Sequence, residues 1–382
     1  MATNNTSTDP TQDPAVVYHP GLEGVIAGES AICQVHAEAV LLYRGYDVHE
    51  LAGKVPFESV AWLLLNDDLP SDGQRQQIED ELRAALKLPE PIVQILRTLP
   101  KEMHPMDSLR TAVSASAGWE PQITDNAHAA NVAKAVRLCG VINAATAASH
   151  RLRSGQEPIA PADDLPLAAN FMYMLEGKRP EDWKARAMDA IYTLYAEHDF
   201  NASTFTARVI ASTLADMHCA ITGAIGALKG PLHGGANEEA MKVLREVGKP
   251  ENAESWIKGK LERKELIMGF GHRVYKKGDS RVPILRDMCR EAGKATGETQ
   301  WTEIGEALEA AMMNLKGIPA NADLYAAPLF HLLKVPTDLN TPLFACSRVI
   351  GWAAHVTEQQ DKNRLIRPRS RYTGPGRRSA RG

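Results

Sequence analysis

The chain has 382 residues, 44% hydrophobic and 24% charged, with 43 basic side chains against 47 acidic ones. That length exceeds the size at which a single core usually divides, so two domains are favoured, and the composition is that of an ordinary globular protein. No apolar run approaches the roughly 20 residues that span a bilayer, and the five scattered cysteines, Cys33, Cys139, Cys219, Cys289 and Cys346, form no Cys-x-x-Cys pair; this argues against a disulfide framework or zinc ribbon and fits reduced thiols in a cytoplasmic compartment.

Residues 1–16 are rich in Thr, Asn, Asp and Pro and lack an apolar stretch, which reads as a disordered leader rather than a signal peptide. Strand signals are weak, confined to short pieces such as Tyr43–Asp47. Helical periodicity then dominates. It predicts helices over Pro56–Asn66, Gly73–Leu86, Glu90–Thr98, Asn126–Leu152, Leu165–Leu175 and Glu181–Tyr195. Ser203–Lys229 contains no proline and predicts one helix of about seven turns. Its many small residues suit close helix–helix contact, as across a subunit interface.

Glu238–Val247 is amphipathic, with Asn237 as its expected N-cap and two glutamates in its first turn, where the helix dipole favours anions. Further helices are expected over Ile284–Thr296, Thr302–Leu315, Leu324–Leu333 and Thr341–Glu358. Most connections carry proline or glycine, among them Lys229-Gly230-Pro231 and Val335-Pro336. From Lys362 onward the chain carries eight basic residues and no acidic one, a pattern shared by nucleic-acid-binding tails and solvated ends. The fold class read from these patterns is all-α, with a large domain over 17–229 and 327–382 and a small domain over 230–326 inserted into it.

Common cofactor and nucleophile motifs fail. Gly269-Phe270-Gly271 lacks a third glycine in step, no phosphate-binding Gly-x-x-x-x-Gly-Lys-Ser/Thr occurs, and no Gly-x-Ser-x-Gly elbow is present. His49-Glu50 begins like a metalloprotease helix but lacks the second histidine. What stands out instead is a pair of histidines in similar glycine settings, Gly-Pro-Leu-His233-Gly-Gly and Gly-Phe-Gly-His272-Arg-Val-Tyr. Glycine permits positive φ and close approach of a ligand.

With Asp323, after Ile-Pro-Ala-Asn-Ala, these histidines make an imidazole–imidazole–carboxylate set on three separate turns, suited to acid/base chemistry at a polarised carbonyl. Alone, either histidine could be a turn satisfied by backbone, and Asp323 could be a helix N-cap. His233 precedes an expected helix N-terminus, whose dipole disfavours imidazolium. His198 is a further polar candidate. Arg281, Arg348 and Arg367 could converge on a small di- or tricarboxylate, since guanidinium forks bind carboxylates at two points; Arg348 stands out among apolar neighbours. Short helical spacing between histidines, usual in metal sites, is absent, so no metal ligand is assigned.

The stretches around His198, His233, His272, Asp323, Arg348 and Arg367, with Tyr43-Arg44-Gly45-Tyr46-Asp47 and His104-Pro105-Met106-Asp107, resemble those of citrate synthases in order and spacing, from about Gly21 to Tyr372. The resemblance implies an all-helical homodimer whose small domain closes over oxaloacetate and acetyl-CoA, with no permanently bound cofactor. It implies Asp323 as the base, His233 as the donor to the enolate oxygen and His272 as the group polarising the oxaloacetate carbonyl. It further implies His198, Arg281 and Arg348 as carboxylate ligands, with Arg367 reaching in from the partner subunit.

On the same resemblance, Gly269, Phe270, Gly271, Lys276 and Lys277 would meet the adenine and phosphates of CoA. The basic tail then needs neither nucleic acid nor a membrane as partner. Ser280 stands where many members have proline. The short amino terminus implies no control by NADH. Phe200–Arg208 and Gly351–Val356 are similar to 2-methylcitrate synthases, so propionyl-CoA is the alternative substrate.

Overall fold

The computed structural model describes residues 17–272 and 274–380. The leader expected over residues 1–16 lies outside the described residues. A short 3-10 turn at Pro20–Leu22 precedes a three-stranded antiparallel sheet: β1 (Cys33–His36), β2 (Val40–Tyr43) and β3 (Tyr46–Asp47). Cys33 is opposite Tyr43, and Tyr43 is opposite Tyr46. The expected extended piece at Tyr43–Asp47 is therefore the second turn of a larger meander, whose first strand alternates apolar and polar residues but is only four residues long.

Sixteen α-helices follow among the described residues. The first eight are α1 (Val48–Leu51), α2 (Phe57–Asn66), α3 (Asp72–Ala85), α4 (Glu90–Thr98), α5 (Pro105–Ser116), α6 (His128–Arg153), α7 (Leu167–Glu176) and α8 (Asp182–Tyr195). Then come α9 (Ala202–Ala211), α10 (Met217–Leu228), α11 (Ala236–Val247), α12 (Ala253–Glu262), α13 (Val282–Thr296), α14 (Gln300–Lys316), α15 (Asp323–Leu332) and α16 (Asn340–Asp361). The fold is all-α, with the sheet as a minor appendage.

The single helix expected over Ser203–Lys229 is two helices. Ser212 and Thr213 turn their hydroxyls back onto the carbonyls of Val209 and Ile210, each at 2.7 Å, and Leu214 takes a positive φ of 65°. Asp216 then caps α10 by accepting from the Cys219 amide at 3.0 Å. Hydroxyl side chains that compete for helical carbonyls weaken a helix, and an aspartate cap starts a new one. The two halves fold back and pack on each other.

α16 is buried on every side from Asn340 to Thr357 and packs along α6, the pattern of a helix at the centre of a core. Hydrogen bonds tie its middle to the neighbouring helices. Asn143 on α6 donates to the Cys346 carbonyl at 3.1 Å and accepts from the Tyr192 hydroxyl of α8 at 2.6 Å, while Ser347 donates to the Tyr192 carbonyl. α11, α13 and α14 pack on α15, and α12 packs on α14. The five cysteines are free thiols; Cys139, Cys289 and Cys346 are buried, Cys33 is half-buried and Cys219 is exposed. No described helix is long and apolar enough to cross a membrane.

Candidate active site

Three turns converge. The first follows α8, where Tyr195 and His198 end a buried stretch. The second is the loop from Gly269 to Ser280. The third is Pro319–Asn321, leading into α15. The second and third are held together by backbone: the Gly271 amide donates to the Pro319 carbonyl at 2.9 Å and the Asn321 amide to the Gly269 carbonyl at 3.0 Å. Asn321 Nδ2 adds a 3.0 Å bond to the Gly271 carbonyl. Gly269 and Gly271 take φ of 90° and 72°, the left-handed region that glycine enters without strain. Their positions thus place His272 beside the start of α15.

His198 and His272 lie together, ring centroids 5.1 Å apart. His272 Nδ1 accepts from the amides of Val274 and Tyr275 at 3.1 and 3.2 Å. Those partners place the ring proton on Nε2, which is left as a donor. Burial, followed by the Arg281 charge, pulls the His272 pKa down to about 4. His198 is driven well below the usual imidazole range, again by burial first and Arg281 second. Both rings are neutral at physiological pH.

His233 sits on the turn between α10 and α11. Ser203 faces its Nε2 twice, with Oγ at 2.8 Å and the amide donating at 3.4 Å. With the amide pointing at it, Nε2 is the acceptor, so Nδ1 carries the proton. Ser203 Oγ is itself fixed by Trp352 Nε1 at 3.1 Å. The His233 pKa falls to about 4, from burial and then Arg348. The expectation that a helix dipole keeps this ring neutral gives way to desolvation as the main cause. The expected cap also differs: α11 begins at Ala236 with Gly235 as its N-cap. Asn237 is inside the helix and donates to the Tyr195 hydroxyl at 3.1 Å.

Asp323 is the first residue of α15, and its amide bonds Asn321 Oδ1 at 3.0 Å. Enclosure by protein raises its carboxyl pKa to about 6, against the opposing pull of Arg281. Arg281 is buried and bound at two points by Asp279, at 3.0 and 2.7 Å. Asp279 also accepts the Ala322 amide at 3.0 Å, tying this pair to the Asp323 turn. The pair holds the Asp279 carboxyl far below the usual range, although burial opposes it.

Arg348 is 1% exposed. Its Nε donates to the Tyr195 carbonyl at 2.6 Å and its guanidinium stacks 4.6 Å from the Phe344 ring centroid. Its Nη2 is buried with no hydrogen-bond partner, and among the described residues no carboxylate lies within ion-pair distance. A buried cation is costly unless an anion and hydrogen bonds satisfy it.

The Tyr195 ring joins these parts, 4.4 Å from Phe344 and 5.8 Å from the Arg281 guanidinium. Phe344 lies in turn 6.5 Å from His233. No catalytic or oxaloacetate-binding role follows from sequence for Tyr195, Phe344, Tyr275, Ser203 or Asp279. Only Asp279 had a local signal, its two-residue spacing from an arginine.

Arg367 stands apart from this cluster. It is exposed and lines a cleft of about 940 Å³ with Glu29, Ser30, Arg208 and Glu358. Gly269, Phe270 and Gly271 form the backbone pairing already described. The Lys276 and Lys277 amides donate to the Ala37 carbonyl at the β1–β2 tip, at 3.1 and 3.3 Å, and the Lys277 ammonium pairs with Glu38. Among the described residues, no group of three or more His, Cys, Asp or Glu could hold a metal ion.

Residues 21–369 match the family model described as citrate synthase, C-terminal domain. The chain is 44% identical to citrate synthase 2 of Bacillus subtilis, covering 93% of this chain and 95% of that protein. It is 43% identical to a 2-methylcitrate synthase of Mycobacterium tuberculosis, covering 98% and 95%. Among solved structures it superposes on citrate synthase from Thermotoga maritima with a TM-score of 0.86 at 39% identity, covering 95% and 98% of the two chains. A Thermoplasma acidophilum citrate synthase in ternary complex with carboxymethyl coenzyme A and oxaloacetate gives a TM-score of 0.89 at 31% identity, covering 94% and 97%.

Proposed function

The chain belongs to the citrate synthase family, and from that premise we propose that it condenses oxaloacetate with acetyl-CoA to give citrate and free CoA. The observation that carries this reading is Arg348: a buried guanidinium with an unpartnered Nη2 suits the carboxylate of a small anionic substrate. Arg281, already oriented by Asp279, and His198 would bind the rest of oxaloacetate. His272, with Nε2 as donor, would polarise its carbonyl. Asp323, its pKa raised to about 6, would take a methyl proton from the thioester. His233 would donate from Nδ1 to the enolate oxygen as negative charge forms there. Neutral donors in a dry cleft stabilise such charge without solvent reorganisation. Attack of the enolate carbon on the carbonyl and hydrolysis of the thioester complete the reaction.

The acyl-CoA would meet Gly269–Gly271 and Lys276–Lys277, with the segment 230–326 closing on the rest of the chain to exclude water. Arg367 would act in a homodimer, entering the neighbouring subunit's site. Free, largely buried thiols support a cytoplasmic setting. Propionyl-CoA is the second reading, because relatives of nearly equal identity bear citrate synthase and 2-methylcitrate synthase names. One methylene discriminates by only about 1–3 kcal/mol.

Thiol release from acetyl-CoA and propionyl-CoA, each with and without oxaloacetate, tests the proposal. Oxaloacetate-dependent release is expected, with the higher kcat/KM on acetyl-CoA. Absence of release from both acyl donors overturns it. Wild-type kcat in Asp323→Asn overturns the base assignment.

A further inference from the structure

Tyr275 touches both histidines of the oxaloacetate cluster by different atoms. Its amide donates to His272 Nδ1 at 3.2 Å, and its hydroxyl lies 3.2 Å from His198 Nε2. The ring is 2% exposed and packs 4.7 Å from His272 and 5.4 Å from His198. The hydroxyl has one further neighbour, Ser280 Oγ at 3.1 Å. Ser280 is buried next to Arg281, at the position where the chain departs from the proline expected by resemblance.

We propose that Tyr275 is a positioning residue which, oriented by Ser280, fixes the tautomer of His198 and thereby prepares it to bind an anionic substrate. The hydroxyl proton has two directions open to it. If His198 Nε2 donated to Tyr275, the bare Nδ1 lone pair would be the atom left for a ligand, and it would repel a carboxylate. If Ser280 donates to Tyr275 and Tyr275 donates to His198 Nε2, the ring proton resides on Nδ1 and His198 offers an N–H. Only the second arrangement suits a site where the buried Arg348 Nη2 is left open to an anion. The phenol stays protonated throughout this range, because burial pushes its pKa up to about 12.

Removing the hydroxyl leaves the amide bond to His272 intact, so the two histidines respond separately. This inference rests on the assignment of oxaloacetate to the site, and its test has an arm independent of turnover. Protein carrying ¹⁵N-histidine is compared as wild type, Tyr275→Phe and Ser280→Ala, with His198→Asn to assign the resonance. Wild type is expected to show His198 protonated on Nδ1, and Tyr275→Phe to shift it toward the Nε2–H form while His272 keeps its own tautomer.

In parallel, KM for oxaloacetate in Tyr275→Phe should rise about tenfold, the scale of one hydrogen bond to a ligand-binding group. kcat should fall less than threefold (roughly within the same hydrogen-bond scale) and KM for acetyl-CoA should hold. Ser280→Ala should move both readouts in the same direction but less. His198 protonated on Nε2 in wild type, or an unchanged tautomer in Tyr275→Phe, overturns the inference whatever the enzyme turns over. Wild type that neither binds oxaloacetate nor releases thiol overturns the functional assignment instead, and leaves the tautomer result standing.

Discussion

The imidazoles of His198 and His272 meet at an interplanar angle of 65°, with centroids 5.1 Å apart, and the charge of Arg281 bears on both. Protonating either ring would put a second positive charge beside the Arg281 guanidinium. The acid limb of activity therefore belongs to a different group. Asp323, raised to about 6 by burial, must be ionised to act as a base. kcat/KM is expected to fall tenfold per pH unit below about 6 and to be flat above it. His233 and His272, each near 4, should add a second ionisation only at lower pH. A pH–rate profile with its acid-side pKa near 4, or one whose limb near 6 disappears when a histidine is replaced by asparagine, would contradict this.

The same shift has a stability consequence. Between the ordinary aspartate range and about 6, folded Asp323 is protonated while the unfolded chain is ionised, so the folded state binds more protons. Stability contributed by this residue is then lost as pH rises through that window, and the full cost remains at neutral pH. Asp323→Asn is expected to melt at least as high as wild type at pH 7.5 while losing nearly all turnover. A large fall in Tm would show that the carboxylate stabilises the fold.

Arg348 poses the same opposition between stability and function. Replacing a buried cation that no carboxylate pairs with by an apolar residue of similar length removes a desolvation cost. Arg348→Met should keep its Tm within a few degrees, or raise it, yet weaken oxaloacetate binding about 10- to 100-fold, the scale of charge-assisted hydrogen bonds. Calorimetric titration with oxaloacetate and a thermal melt check both halves. Retained affinity would remove Arg348 from the substrate site.

Gly351 lets α16 approach the turn that carries His198. A Cβ there would lie 2.3 Å from the Ala196 carbonyl and 2.2 Å from Glu197 Oε2. Gly351→Ala should cost about 1–3 kcal/mol in denaturant unfolding through overpacking and should raise KM for oxaloacetate, because Arg348 and His198 sit on the two parts forced apart. Unchanged stability would mean that the turn yields freely.

Arg367 separates action within one chain from action between chains. Mixing inactive Arg367→Ala with inactive Asp323→Asn subunits gives hybrids that hold one intact site only if Arg367 works across the interface. In the homodimer proposed above, random reassociation of an equal mixture should restore about a quarter of wild-type activity. No recovery, with hybrids verified by mass, would place the arginine in its own subunit's site or outside any site.

Some of this organisation could be read without coordinates. Glu90–Thr98 was expected as a helix and forms one with those bounds, because a proline start and an apolar stripe are local signals. Ser203–Lys229 was read as one helix because composition is silent about Ser212 and Thr213 turning back on their own carbonyls. α5 is not legible in the sequence despite Pro105 at its first turn, since buried serines and alanines blur its periodicity, and Lys258, Gly259 and Lys260 do the same for α12.

The types and order of the reactive residues are properties of the chain itself: two glycine-flanked histidines, an aspartate after a proline turn, and arginines far apart. Their states are not. That His272 donates from Nε2 depends on how its own turn folds to aim the Val274 and Tyr275 amides at Nδ1, and that His233 donates from Nδ1 depends on the Ser203 amide of a distant segment. That Asp323 ionises near 6 depends on the water it has lost. Hydrogen-bond partners and desolvation exist only once distant segments pack, so the linear chain specifies which groups are present and the tertiary structure decides their charge, tautomer and readiness to act.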